Sequence, residues 1–291
     1  MRIAVHGKKF SDQISLLVKS IIKNLKDNSS ELLISEPFSK IITEQGLSLK
    51  GMGIYVPGQL LNDVDLLVTI GGDGTLLSAV THIGTKEIPV LGINTGTLGF
   101  LATTAKEHVD ESLNNLFRGN YTYDDRAMIG LKTNRDLFNG KTFALNDFTI
   151  VKKDSSSMIV VNTYINGEFL NAYWADGLIV STPTGSTGYS LSCGGPLILP
   201  QSKNFVITPV SPHNLTARPM IVNDDCEISF KIGGRNKNFL VSLDSRIEII
   251  DDTVELSVVK ENFVTRLIKL PGISLFDTLR QKLNWGLDIR N

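Results

Sequence analysis

Four segments of this 291-residue chain gather residue types suited to phosphates and sugar hydroxyls. The first is Val68-Thr69-Ile70-Gly71-Gly72-Asp73-Gly74-Thr75-Leu76-Leu77, where an apolar run enters three glycines and a helical pattern follows at once. Glycine lets the backbone turn tightly and approach a ligand closely, and free N–H groups at a helix start form an anion site. A carboxylate at Asp73 would repel a phosphate there, unless it takes a proton from a hydroxyl or holds a metal bridging to the phosphates. The plainer alternative is a strand–helix turn with Asp73 as its cap.

The second segment, Ile93-Asn94-Thr95-Gly96-Thr97-Leu98-Gly99-Phe100-Leu101, also follows an apolar strand pattern. In open α/β sheets the ligand crevice lies at the carboxyl ends of the strands, so both glycine loops should face one crevice. Phe100 then either stacks on a base or joins the core. The third segment runs from Asp176 to Pro196 and is dense in Ser, Thr and Gly, mounted on the apolar run Leu178–Val180. Hydroxyls and exposed amides suit sugar hydroxyls, amides and phosphates. The fourth, Leu145-Asn146-Asp147, pairs an amide with a carboxylate that suits a ribose diol, although an Asn-Asp turn is the commoner explanation of such a pair.

The elements needed to hold these loops are legible in the periodicity. Residues 2–6 read as a buried strand, and Ser11 caps an amphipathic helix carrying Ile14, Leu17, Val18, Ile21, Ile22 and Leu25. Glu31–Ser35, Val64–Ile70 and Ile88–Ile93 read as further strands, with helices at 37–45, at Leu76–Val80 and from a Thr104 cap to Phe117. This alternation predicts a parallel, Rossmann-like α/β domain. From about Gly119 the texture changes to short β-rich runs: Phe143–Val151, Met158–Ile165, Leu178–Ser181, Phe205–Thr208, Glu227–Ile232, Phe239–Leu243 and Val254–Val259. Asn139-Gly140, Asn166-Gly167 and Gly233-Gly234 fit hairpin turns between them. The expected division is therefore an α/β domain over 1–120 and an antiparallel β-sandwich over 121–264. A C-terminal helix at Ser274–Leu283 makes 265–291 pack back.

Composition narrows the class. With 29 Lys+Arg against 30 Asp+Glu, the net charge of -1 argues against a nucleic-acid binder. Cys193 and Cys226 are too few for a disulfide framework and lack zinc spacing. No apolar run approaches a membrane span, and the opening residues are too short a run for a signal peptide. A cytoplasmic enzyme or small-molecule binder is the expectation.

Together the motifs resemble the NAD kinase family. Gly-Gly-Asp-Gly-Thr at 71–75, Gly-Ile-Asn-Thr-Gly-Thr-Leu-Gly-Phe-Leu at 92–101, Leu-Asn-Asp at 145–147 and the run 176–196 share its order and spacing. Leu215-Thr216-Ala217-Arg218-Pro219 and Leu283-Asn284-Trp285-Gly286 add two more blocks. The Gly-Gly-Asp-Gly block alone is shared with lipid kinases and 6-phosphofructokinases; Thr-Pro-Thr-Gly-Ser-Thr at 182–187 makes the resemblance specific. It implies an N-terminal α/β domain, a C-terminal β-sandwich, and an active site in the cleft between them. The implied reaction moves the γ-phosphoryl of ATP, sometimes polyphosphate, to the 2′-hydroxyl of the adenosine ribose of NAD. A divalent metal, Mg²⁺ or Mn²⁺, and a homodimer or homotetramer are implied as well.

By the same resemblance Asp73 is the proton acceptor and Gly74 lies beside the substrate. Asn146, Asp147, Asp176, Thr187, Gly188, Tyr189, Ser190, Leu191 and Ser192 bind NAD. Ser157 and Arg246 line the site, with Trp174 and Phe100 as further contacts and His213 in reach. The donor's phosphates are expected at Gly71, Gly72, Gly74, Thr75 and Asn94, whereas His6, His82 and His108 are expected to be surface or packing residues. Four departures from the family pattern stand out: Asp147 for a usual Glu, Gly188 for Ala, Trp174 for a basic residue, and Ser157 for His. The alternatives are a lipid kinase of the same superfamily, which would need an apolar cleft in place of the hydroxyl-rich run, and a catalytically silent NAD(H) sensor.

Overall fold

The computed structural model describes residues 1–59, 63–153, 158–235, 237–272 and 274–284. They form two compact units, Met1–Asp125 with the chain from Thr265 on, and Arg126–Val264. In the first unit the elements are β1 (Arg2–Gly7), α1 (Asp12–Asn28), β2 (Glu31–Ser35), α2 (Glu36–Glu44), β3 (Gly53–Tyr55), β4 (Leu66–Ile70), α3 (Asp73–Ile83), β5 (Val90–Ile93) and α4 (Val109–Phe117). The strands form a parallel sheet in the order β5-β4-β1-β2-β3. β4 is buried along its whole length, as its almost continuous apolar run requires of a strand covered on both faces. α1 turns Val18, Ile21, Ile22 and Leu25 inward, the i, i+3, i+4, i+7 stripe that packs a helix on a sheet.

The chain winds outward from β1 in both directions, which makes the gap between β1 and β4 the topological switch point. Gly7 lies opposite Ile70 in the register. The segments that follow these two strands therefore leave the sheet side by side, Lys8 from one and Gly71 from the other.

In the second unit the elements are β6 (Thr122–Thr133, entering from the first unit), β7 (Phe143–Ala144), β8 (Asp147–Lys152), β9 (Ile159–Ile165), β10 (Glu168–Ala175), β11 (Gly177–Ser181), α5 (Tyr189–Ser192), β12 (Asn204–Val210), β13 (Met220–Asn223), β14 (Ile228–Gly234), β15 (Asn238–Leu243), β16 (Arg246–Asp251) and β17 (Leu256–Lys269). One sheet runs β10-β9-β14-β17, and the other runs β13-β12-β11-β8-β15-β16, antiparallel throughout. Their inner faces share one core, with Phe148, Val180, Phe205 and Phe239 from the second sheet and Val161, Ile228 and Val258 from the first. This is the sandwich arrangement. The end of β17 returns to the first unit, pairing Leu267 with Val90. α6 (Leu275–Leu283) follows and sets Lys282 Nζ 5.5 Å from the centre of the Phe100 ring.

Some local expectations change. Thr104 does not cap α4. It bridges to Ile93 beside the sheet, a short 3₁₀ turn at Lys106–His108 intervenes, and the helix starts at Val109. Gly233-Gly234 lies inside β14, opposite Val160 and Ile159, so it is strand and not turn. Asn166-Gly167 does turn β9 into β10, with φ of 50° and 84°, as a two-residue hairpin loop demands.

Candidate functional site

The glycine turn after β4 is built around one carboxylate. Gly71 takes φ 154°, and a Cβ there would lie 2.2 Å from Thr75 Oγ1, so only glycine fits. α3 then begins at Asp73 with no side-chain cap, which sets the capping alternative aside. The Asp73 carboxylate reaches across to the second glycine loop. Oδ2 accepts from Phe100 N–H at 2.8 Å, and Oδ1 accepts from Leu101 N–H at 3.1 Å and Ala102 N–H at 2.9 Å. A carboxylate has about four lone-pair positions, so one position on Oδ2 is left over.

Asn94 completes this framework from within the loop. Its Oδ1 accepts from Gly96 N–H at 2.8 Å, and its Nδ2 donates to Thr97 O at 3.0 Å. Asn94, expected at the donor's phosphates, shapes the loop with its side chain. Lys8 is a residue that the motif reading missed. Its Nζ donates to Gly74 O at 3.0 Å, which places a cation at the switch point beside a turn that otherwise holds only a carboxylate. The signal was a lysine directly after β1.

The second unit carries the other group of residues. Leu145-Asn146-Asp147 is clamped from two sides. Thr182 N–H and Thr182 Oγ1 bond Asn146 O and Leu145 O at 2.9 and 2.6 Å. Asp244 accepts from the N–H groups of Leu145, Asn146 and Asp147 at 3.0, 2.7 and 3.3 Å. Asn146 Oδ1 is buried with no partner among the described residues, an acceptor left for a donor that the protein itself does not supply. A Cβ on Gly188 would stand 3.8 Å from Asn146 Nδ2 and 4.0 Å from Asp147 Oδ2. The turn at Gly188 and the Asn146-Asp147 pair therefore meet.

Several hydroxyls in the run 181–192 serve the protein's own structure. Thr182 Oγ1 also accepts from Gly185 N–H, Ser186 Oγ donates to Pro183 O, Thr187 Oγ1 to Thr184 O, and Ser190 Oγ pairs with Thr208 Oγ1 at 2.8 Å. Tyr189 and Ser192 are exposed, and Leu191 is half-buried. Arg246 lies against the Phe138 and Phe143 rings and donates from both terminal nitrogens to the carbonyls of Lys141 and Phe143, while its Nε is buried without a partner among the described residues. Asp176 pairs with Lys152 Nζ at 2.6 Å. It sits at the corner where the chain leaves β10 for β11, in the opposite sheet. β10 ends at Ala175, so Trp174 lies on the strand and Asp176 beyond its end. Trp174 is 54% exposed, and its carbonyl accepts from His213 N–H at 2.8 Å; His213 itself is exposed. Ser157 lies outside the described residues, as does Trp285. His6 and His82 pack edge to face in the first unit, 4.5 Å apart; His6 and His82 are buried, while His108 is exposed.

Electrostatics single out Asp147. Burial first, and the like charge of Asp244 second, push its carboxyl up from 3.8 to about 7, against the opposing Thr149 hydroxyl bond. A carboxyl raised on folding stabilises the fold below its unfolded value and loses that contribution as pH climbs through the folded value. The ligand-free protein should therefore lose stability between about pH 4 and 7. Asp147→Asn should shrink that loss, by up to about 4 kcal/mol for a shift of this size. Urea unfolding across that range checks it; an unchanged slope refutes the assignment.

Two family profiles match this chain: the ATP-NAD kinase N-terminal domain over residues 11–121 and the ATP-NAD kinase C-terminal domain over residues 145–270. A relative named NAD kinase, from Cytophaga hutchinsonii, is 51% identical over the full length of both chains. Among solved structures, yeast NADH kinase complexed with NADH has a TM-score of 0.88 at 25% identity, covering all of this chain and 89% of that one. An NAD kinase from Archaeoglobus fulgidus in complex with ATP shares the fold, with a TM-score of 0.73 at 24% identity over 98% of this chain and 99% of that one.

Proposed function

Since the chain belongs to the NAD kinase family, it is a phosphotransferase acting on NAD, and we propose that it moves the γ-phosphoryl of ATP to the 2′-hydroxyl of the adenosine ribose, giving NADP. The observation that carries the residue-level reading is the leftover lone-pair position on Asp73 Oδ2, at the switch point of the parallel sheet. There Asp73 accepts the proton of the attacking hydroxyl, which raises the nucleophilicity of the oxygen as its bond to the γ-phosphorus forms and the bond from that phosphorus to the β,γ-bridging oxygen breaks, releasing ADP. At the start of α3 the Thr75 N–H bonds Gly72 O at 2.9 Å and the Gly71 N–H bonds Ile93 O at 3.0 Å, so the N–H groups of Gly72 and Gly74 are the ones that suit the donor's phosphates. Backbone at Gly71, Gly72, Gly74 and Thr75 approaches those phosphates, and Lys8 adds positive charge. A lipid kinase and a silent sensor are not favoured.

Asn146, Asp147, Asp176 and the stretch Thr187–Ser192 bind NAD in this reading, with the unpaired Asn146 Oδ1 accepting from the nucleotide. Among the described residues no three His, Cys, Asp or Glu side chains gather to hold a metal ion. A divalent cation carried by the donor's phosphates would neutralise charge there, and Asp73 is the carboxylate that would hold it. Both cysteines are unbonded, in keeping with work in the reducing cytoplasm, and no helix among the described residues is long and apolar enough to cross a membrane. The deciding experiment crosses NAD or NADH with ATP or polyphosphate and scores the 2′-phosphorylated product. No such product from any pair would sink the reading.

Exposed Ile247 and Ile249 on the edge strand β16 and exposed Met220 and Ile221 on β13 support a homo-oligomer through the sandwich. Light scattering should give a multiple of the 31.9 kDa monomer mass at micromolar concentration; a monomer refutes it. Trp174 is proposed to flank bound NAD, its indole exposed beside the Asp176 corner. In a Trp285→Phe variant Trp174 is the sole indole, and saturating NAD should quench or shift its emission. Unchanged emission with activity intact would make Trp174 a packing residue.

A further inference from the structure

Asp244 stands at the tip of the β15–β16 hairpin, the first of two residues between the paired Leu243 and Arg246. Its φ is +54°, a left-handed conformation that Asp, Asn and Gly accept most readily. Turn chemistry alone would therefore be satisfied by any of the three. The side chain does something a turn does not need. Oδ1 accepts from Asn146 N–H at 2.7 Å and Asp147 N–H at 3.3 Å, and Oδ2 accepts from Leu145 N–H at 3.0 Å, about a hundred residues away in sequence. The Asp244 N–H returns a bond to Asp147 O at 3.0 Å. Four bonds thus lock three consecutive residues to one hairpin tip.

This arrangement is unfavourable in one respect. It sets a second carboxylate beside the buried Asp147, and like charges in a poorly hydrated place repel. Asparagine would fill the turn without that repulsion but would offer one acceptor oxygen in place of two. The charge has a use if the segment it holds must be held to a fraction of an ångström.

We infer that Asp244 is a positioning residue for NAD recognition, fixing the backbone of Leu145–Asp147 so that the Asn146 and Asp147 side chains meet the ribose in one geometry. The inference rests on the NAD reading of that pair. Asp244→Asn keeps the turn and one acceptor; Asp244→Gly keeps the turn and none. The KM for NAD should rise in the order wild type, Asn, Gly, by roughly tenfold or more for Gly, with kcat within about twofold and the KM for ATP unchanged. Amide exchange should quicken at residues 145–147 in Asp244→Gly while the β11 and β12 amides keep their protection, which separates a loosened segment from a failed fold. Two variants with wild-type KM for NAD, or unchanged exchange at 145–147, overturn the inference alone. A wild-type chain that binds no NAD by calorimetry overturns the reading of the pair and this inference with it.

Discussion

Asp73→Asn should lose about 10² to 10⁴ in turnover, the usual contribution of a positioned general base, while NAD still binds. The substitution keeps the size of the side chain and removes its basicity. It also changes one loop bond. If the remaining oxygen takes the place of Oδ1, Leu101 and Ala102 keep their acceptor, and the new amide faces the Phe100 N–H donor to donor. That mismatch loosens the loop in the first unit, whereas Asn146, Asp147 and Asp176 belong to the second. Calorimetry on NAD therefore separates the two effects from any general damage. A variant that keeps more than about a tenth of wild-type turnover removes Asp73 from the role of base.

The parallel sheet was legible because its longer strands are mostly buried and read as almost continuous apolar runs, as in Leu66–Ile70, where Thr69 is the one polar residue. Of the strands that escaped notice, three have a broken or short pattern, whereas β13 and β16 carry exposed apolar residues on the sheet edges. β10 carries a bulge between Phe169 and Asn171 and exposes Phe169 and Trp174, so its alternation fails. β6 opens on Thr122-Tyr123-Asp124-Asp125, which gives no apolar signal. β3 is three residues long and keeps only Tyr55 buried. The candidate site was legible in its motifs but not in its division of labour. The hydroxyls of Ser186 and Thr187 close local turns, because a short loop satisfies its own buried carbonyls first, while those of Thr182 and Ser190 tie the run to Leu145 O and to Thr208. The acceptor that organises Asn146-Asp147 comes from Asp244, too far along the chain for spacing to show it.

Gly99→Ala should be nearly as damaging as the loss of Asp73 itself. Gly99 is buried and its φ lies outside the left-handed region, so alanine meets no backbone objection. The obstacle is a single group: a Cβ there would lie 1.8 Å from Asp73 Oδ1, 2.4 Å from Cγ and 2.7 Å from Oδ2. Contacts that short cannot be absorbed by a few tenths of an ångström. Either the carboxylate leaves its cradle of three N–H groups or the loop moves away from α3. In both cases Oδ2 no longer stands where a hydroxyl proton can be delivered, and misplacement of about 1 Å at a reacting group typically costs on the order of a hundredfold. The expected stability loss, about 1–3 kcal/mol for an overpacked methyl, leaves the protein folded, and NAD affinity should stay near wild type. A double-mutant cycle makes the cause visible. If Gly99→Ala acts through the Asp73 carboxylate, adding it to Asp73→Asn should cost little more turnover, as groups acting as a unit are not additive. Full additivity, or wild-type turnover in the single variant, would show that the close contact between Gly99 and Asp73 has no part in catalysis.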